Sequence, residues 1–169
     1  MNSQVAKSQE SKKVFLPPGG FHFGDHSTVI KTLLGSCVAI TLWHPLLMVG
    51  GMCHYMLPKR RGLDKNGYES DGRYADAAMA LFMRELARTG SHPWEYEVKM
   101  FGGGNQFPGH TGCDLLRVSD HNIDAGRDLL ARYGFSIKAE HLGGVGHRSV
   151  TFDVSNGKTW IKFDGLTGR

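Results

Sequence analysis

The sequence predicts an α+β layered fold, and three observations carry that expectation. Short apolar runs of β type outnumber helical stretches. Each of the two amphipathic segments has one apolar stripe, which must be buried against a sheet. With 169 residues, 40% hydrophobic and 21% charged, the chain has the size and composition of one globular domain. Such a domain buries roughly two-thirds of its unfolded surface without covalent staples.

Residues 1–13 are polar and lack aromatic side chains, so they are expected to form a mobile tail, with residues 14–169 as the single domain. A strand beginning at Val14 is ended by Pro17-Pro18-Gly19-Gly20, and Phe21-His22-Phe23 then alternates up to a turn at Gly24-Asp25. His22 and His26 have metal-pair spacing only on a helix, and Gly and Pro break this stretch. Residues 28–34 read as a strand leading into a Gly35-Ser36 bend. The runs 36–43 and 48–57 flank His44-Pro45-Leu46-Leu47 and predict a β-hairpin. Residues 59–73 are charged and glycine-punctuated, which suits a surface loop.

A helix is expected over 74–89, because Ala75, Ala78, Met79, Phe82 and Leu86 follow the 3.6 period and Gly90 stops it. Residues 97–101 alternate as a strand before the loop Gly102-Gly103-Gly104-Asn105. That loop lacks the lysine and spacing of a phosphate-binding motif. Residues 106–117 read as a loop holding Cys113 as a surface thiol. Ser119 is the expected N-cap of a helix over 120–133, with Ile123, Leu130 and Tyr133 inward. Strands at 135–142, 150–154 and 159–163 complete the chain. A bend at 143–148 precedes the second of these, and Asn156-Gly157 signals a type I′ turn before the third.

The net charge of +4 is mild, and the Lys and Arg residues are scattered, with no basic stripe interleaved with aromatics for nucleic acid. Three cysteines at unrelated spacings give neither a disulfide framework nor a paired metal knuckle. The polar N-terminus has no apolar h-region, and no apolar run reaches the ~20 residues of a membrane span, so a cytoplasmic location is expected.

Chemistry concentrates in the hairpin. If Pro45 and Leu46 are the central turn residues, facing residues have numbers summing to 91, and Cys37 stands opposite His54. A three-residue loop would put the two on opposite faces, whereas a four-residue loop over 44–47 keeps the pairing. Opposed residues lie close enough for an imidazole to take a thiol proton. Cys37, Ala39, Thr41, Met52 and His54 then share one face. Val38, Ile40, Val49 and Cys53 share the other, more aliphatic face, which is the expected core side, with Cys53 as packing. N–H groups around Gly35, Ser36 and Cys37 could cradle an oxyanion. Against this stands the plain alternative that Cys37 is a small buried hydrophobe.

The segments Thr32-Leu33-Leu34-Gly35-Ser36-Cys37-Val38-Ala39 and Gly50-Gly51-Met52-Cys53-His54-Tyr55-Met56-Leu57-Pro58 resemble the signature of the CheD family, the chemoreceptor glutamine deamidases of bacterial chemotaxis. The likeness continues in Gly72-Arg73-Tyr74-Ala75-Asp76, Lys99-Met100-Phe101-Gly102-Gly103-Gly104, Gly143-Gly144 and Arg148-Ser149-Val150, and spans Val14 to Phe163. It implies an α-β-β sandwich with a central β-hairpin carrying the site. It also implies deamidation of glutamines on methyl-accepting chemotaxis receptors through a thioester on Cys37, with His54 as base and no metal or organic cofactor. A threonine just upstream of the cysteine is implied to be functional; Thr32 lies five residues before Cys37, and Lys31 six. CheC-type phosphatases are implied as further partners. Two other readings remain: a non-catalytic adaptor binding receptors or CheC, and a Cys/His hydrolase or transglutaminase acting on another protein.

Overall fold

The computed structural model of the chain describes residues 10–60, 71–109 and 114–165, without the side chains of residues 114–116. In chain order the elements begin with β1 (Lys12–Phe15), β2 (Phe21–Asp25), β3 (Thr28–Leu34), β4 (Val38–His44) and β5 (Val49–Tyr55). There follow α1 (Ala75–Thr89), a 3₁₀ turn (Pro93–Glu95), β6 (Glu97–Gly102) and α2 (Asp114–Arg132). The last elements are β7 (Ile137–Leu142), β8 (Gly146–Asp153) and β9 (Thr159–Gly165). Lys12 and Lys13 thus belong to a strand rather than to the expected tail. They pair in parallel with Thr28 and Val29, a non-local contact that local composition does not reveal. Residues 1–9 of that tail, residues 61–70 of the expected surface loop and Cys113 lie outside the described residues.

The described strands form two sheets, one of four strands in the order β1-β3-β8-β9 and one of five in the order β2-β5-β4-β6-β7. Both helices cover the outer face of the five-stranded sheet. There Val38, Ile40, Leu42, Cys53 and Tyr55 pack with Ala78, Met79 and Phe82 of α1 and with Ile123 and Leu130 of α2. Between the sheets, Ala39, Met52 and Phe101 meet Ile30, Leu34, Val150 and Phe152. The result is the α-β-β sandwich expected from the family resemblance, with the β4–β5 hairpin at the centre of its middle layer. The Val38, Ile40 and Cys53 face is core as predicted, but the opposite face is core too, because the second sheet covers it. A strand buried on both faces gives no polar alternation by which to tell them apart.

The hairpin register differs from the predicted one. Its loop is residues 45–48, closed between the paired His44 and Val49. Met48 N–H donates to the His44 carbonyl at 2.9 Å, and Leu47 N–H donates to His44 Nδ1 at 3.1 Å. Met48 takes a φ of 54°, the left-handed conformation that turns the chain back into β5. Ala39 therefore faces His54 and Val38 faces Tyr55, so facing numbers sum to 93. Cys37 is not directly opposite His54. Because the slip is two residues, both side chains keep the same face of the sheet.

Helix α1 follows the prediction, ending at Gly90 with a φ of 66°. Helix α2 instead begins at Asp114, so Ser119 is not its cap. Ser119 is buried inside the helix, and its hydroxyl donates to the Gly104 carbonyl at 3.1 Å, a tertiary partner for a residue that otherwise favours helix starts. Tyr133 lies beyond the helix end and is exposed; Gly134 (φ 83°) turns the chain so that Phe135 fills the core instead. The β8–β9 connection is not a type I′ turn, since only Gly157 has a positive φ, 69°. It spans residues 154–158, organised by the Asp153 carboxylate, which accepts from Ser155 N–H at 2.8 Å. Trp43 Nε1 donates to the Val154 carbonyl and Lys99 Nζ to that of Gly157, both at 2.8 Å, pinning this turn to the other sheet.

Gly126 lets α2 settle against β5. Tyr55 Oη donates to the Asn122 carbonyl at 2.6 Å, and a Cβ on Gly126 would collide with that phenol oxygen and with the Met100 methyl. In an exposed helix, Gly→Ala gains about 1 kcal/mol. Here Gly126→Ala is expected to lose about 1–3 kcal/mol, as overpacked core sites do. Urea denaturation measures it, and a gain in stability would refute the close-approach account.

Candidate active site

Thr32 points from β3 into the layer between the sheets and is 2% exposed, while Lys31 faces solvent. His54, 1% exposed, reaches across from β5, and its Nδ1 lies 2.8 Å from Thr32 Oγ1. The hydroxyl has one proton, which it donates to the Leu16 carbonyl at 2.7 Å. Toward His54 it can only accept, so Nδ1 carries the imidazole proton and Nε2 presents a lone pair. That Nε2 is buried and has no hydrogen-bond partner among the described residues. The chain crossing between the sheets frames the group: Leu16 N–H donates to Lys31 O at 2.7 Å, Gly19 N–H to His54 O at 2.8 Å, and His54 N–H to Gly20 O at 3.0 Å.

Cys37 follows the Gly35-Ser36 bend, half-buried and packed against the same inter-sheet cluster. It is two residues before Ala39, the partner of His54, and just beyond the end of the β4–β5 ladder. The loop is held from outside by its carbonyls. Gly103 N–H donates to Cys37 O at 2.8 Å, Gly104 N–H to Gly35 O at 2.9 Å, and Asn122 Nδ2 to Ser36 O at 3.3 Å. Gly102, at a φ of 115°, is required, because a Cβ there would strike the Cys37 carbonyl. The N–H groups of Ser36 and Cys37 donate to no backbone carbonyl among the described residues.

Sequence reasoning gave no role to two supporting residues. Arg148, 2% exposed, donates from Nε to His141 Nδ1 at 2.7 Å and from Nη2 to Gly143 O at 2.5 Å, with its guanidinium over the Phe163 ring. Gly143 N–H in turn donates to Gly102 O at 2.9 Å, tying the second glycine loop to the one beneath Cys37. Asn122 is fully buried on α2. An Arg and an Asn at core-facing positions were the available signals, and both need tertiary partners to be read.

Burial holds the Cys37 thiol above its ordinary value, opposed by its own N–H. Burial also depresses the His54 imidazole from 6.5 to about 4, opposed by the Leu16 carbonyl. The two groups are therefore a neutral thiol and a neutral imidazole at pH 7, not an ion pair. Cys53, on the helix-covered face, is pushed up to about 12 by burial, in keeping with a packing role. Among the described residues, no cluster of three His, Cys, Asp or Glu side chains could hold a metal ion, and no helix is long and apolar enough to cross a membrane. A cleft of about 760 Å³ lies between the start of α1 and α2, lined by Leu57, Pro58 and Ala125 among others. It is on the helix side, and neither Cys37 nor His54 lines it.

These features define a layered sandwich with a cysteine and a threonine-held histidine on one inner sheet face. The profile of a family described as CheD chemotactic sensory transduction matches residues 56–163. A Dechloromonas aromatica (strain RCB) protein named "Probable chemoreceptor glutamine deamidase CheD 3" is 46% identical over 158 residues, covering 94% of this chain and 91% of that protein. A Pseudomonas savastanoi pv. phaseolicola relative named "Probable chemoreceptor glutamine deamidase CheD" is 42% identical over 163 residues, 96% and 88% of the two chains. A Chromobacterium violaceum relative, "CheD 1" of the same description, is 45% identical over 149 residues, 88% and 76% of the two chains. This chain belongs to the CheD family.

The depressed His54 value has a sign. Between pH 6.5 and about 4 the unfolded chain protonates its imidazole while the folded chain does not, so stability falls as pH is lowered through that window. The full difference is of order 3 kcal/mol. Urea unfolding of wild type and His54→Gln across this range is expected to show a steeper acid loss for wild type; parallel curves would contradict a buried neutral His54.

Proposed function

We propose that this protein hydrolyses glutamine side-chain amides to carboxylates on methyl-accepting chemotaxis receptors, acting in the cytoplasm, with Cys37 as nucleophile and His54 as base. One observation carries the reading: Thr32 fixes the proton of His54 on Nδ1, so the unpartnered Nε2 is a base on the face that Cys37 shares. Cys37 Sγ attacks the glutamine Cδ as Nε2 takes the thiol proton. The carbonyl oxygen becomes an oxyanion, for which the N–H groups of Ser36 and Cys37, given to no backbone carbonyl among the described residues, are the donors, each worth about 3–4 kcal/mol in comparable sites. The imidazolium gives its proton to the leaving nitrogen, the C–N bond breaks, and ammonia departs from a thioester. Water, losing a proton to Nε2, then attacks the thioester and releases glutamate and the thiol.

Because thiol and imidazole rest uncharged, proton transfer accompanies attack rather than preceding it. The Gly35 bend leaves the backbone open to close approach by the substrate amide. A CheC-type protein would compete for this same opening.

The test incubates the full chain with receptor cytoplasmic fragments and follows intact mass for the small gain on replacing –NH₂ by –OH. Wild type is expected to convert specific glutamines and Cys37→Ala none. Thr32→Val, which frees the imidazole tautomer, is expected to slow conversion by about a hundredfold. Conversion by Cys37→Ala at the wild-type rate would refute the proposal, and binding without conversion by wild type would leave the adaptor reading in its place.

A further inference from the structure

Asn122 is fully buried on α2, and its side-chain hydrogen bonds leave its own helix. Its Nδ2 donates to the Met56 carbonyl at 2.8 Å and to the Ser36 carbonyl at 3.3 Å. Both partners are carbonyl oxygens, so the amide orientation is fixed and Oδ1 has no partner among the described residues. Ser36 immediately precedes Cys37, and Met56 is two residues beyond His54. The β4–β5 ladder ends at Val38↔Tyr55. Asn122 thus joins the two chain segments where their own pairing stops. Separately from this clamp, Tyr55 Oη donates to the Asn122 backbone carbonyl at 2.6 Å.

We infer that Asn122 is a positioning residue for the deamidation reaction: its amide clamps the Cys37 loop to the His54 strand and sets the separation of Sγ and Nε2. The inference rests on the proposed roles of Cys37 and His54. Leaving one acceptor buried and unpaired carries a stability penalty, and a packing role would be met as well by an apolar residue of similar volume. The clamp is what an apolar residue cannot supply. A displacement of about 1 Å in reacting groups lowers rates by about a hundredfold.

The experiment compares wild type, Asn122→Ala, Asn122→Asp and Tyr55→Phe as full chains. The readouts are thermal stability, the rate of Cys37 labelling by iodoacetamide at neutral pH, and kcat and KM on receptor fragments. Asn122→Asp keeps the side-chain shape but removes the donor, so a read-out survives if the alanine variant does not fold. Tyr55→Phe removes the neighbouring hydrogen bond and leaves the clamp intact, so it is a matched destabilised control. Both Asn122 variants are expected to lower kcat and Cys37 labelling by about ten- to a hundredfold, with KM within about twofold of wild type. Tyr55→Phe is expected to lose stability and keep both rates within about twofold. Wild-type rates in the Asn122 variants, or equal losses in Tyr55→Phe, would overturn the inference. A wild-type protein that converts no glutamine and labels slowly at Cys37 would instead overturn the underlying enzymatic reading, and with it the clamp.

Discussion

The hydrogen bond from His54 to Thr32 crosses between two sheets, and the architecture of this end of the molecule depends on it. His54 belongs to the five-stranded sheet and Thr32 to the four-stranded one, so the imidazole is oriented only when the sheets are stacked in register. The stacking is secured at the far end by Trp43 and Lys99, which donate across to the β8–β9 turn. Near the site it is secured by the chain itself, passing from β1 to β2 with Leu16 O against the Thr32 hydroxyl. Apolar contacts between Ile30, Met52 and Phe152 supply attraction between the layers but no direction. The polar contacts supply the register.

Much of the fold could be read from local pattern. The helix at 75–89, the strand at 28–34 and the central hairpin all follow from period and turn chemistry, since each is decided by neighbours within a few residues. The misreadings share a cause. The hairpin register depends on whether Pro45 opens a two- or four-residue loop, and Met48 adopting a left-handed backbone is not encoded by its type. The start of α2 was misplaced because Ser119, a good cap by itself, finds its partner on Gly104, fifteen residues away. The pairing of Lys12 with Thr28 was invisible for the same reason.

Within the site, the parity of the hairpin was the robust inference and its exact offset was not. A slip of two residues left Cys37 and His54 on one face, while a slip of one would have separated them by the thickness of the sheet. The sequence likewise distinguished Thr32 from Lys31 only by alternation, and burial of the one and exposure of the other follow it. Arg148 and Asn122 carry no local signal of role. Arg148 finds its acceptors in the Gly143 carbonyl and His141, and Asn122 in the Ser36 and Met56 carbonyls, partners that only the assembled fold brings within reach.

Where the unsatisfied polar atoms fall is informative. Among the described residues the buried side-chain atoms without partners are His54 Nε2, Asn122 Oδ1, Arg148 Nη1 and Thr159 Oγ1. Each such group costs about 1–3 kcal/mol relative to a satisfied one. Asn122 bonds to the Ser36 carbonyl beside Cys37, His54 to Thr32 on the inner sheet face, and Arg148 to the Gly143 carbonyl of the loop tied to Gly102. A core selected for stability alone would have closed these valences with apolar groups of equal volume. Three of these four atoms lie around the Thr32–His54 pair and the segments joined by Asn122 and Arg148. For His54 the proposed function supplies the missing partner, the thiol of Cys37; burial keeps the imidazole neutral at the expense of acid stability.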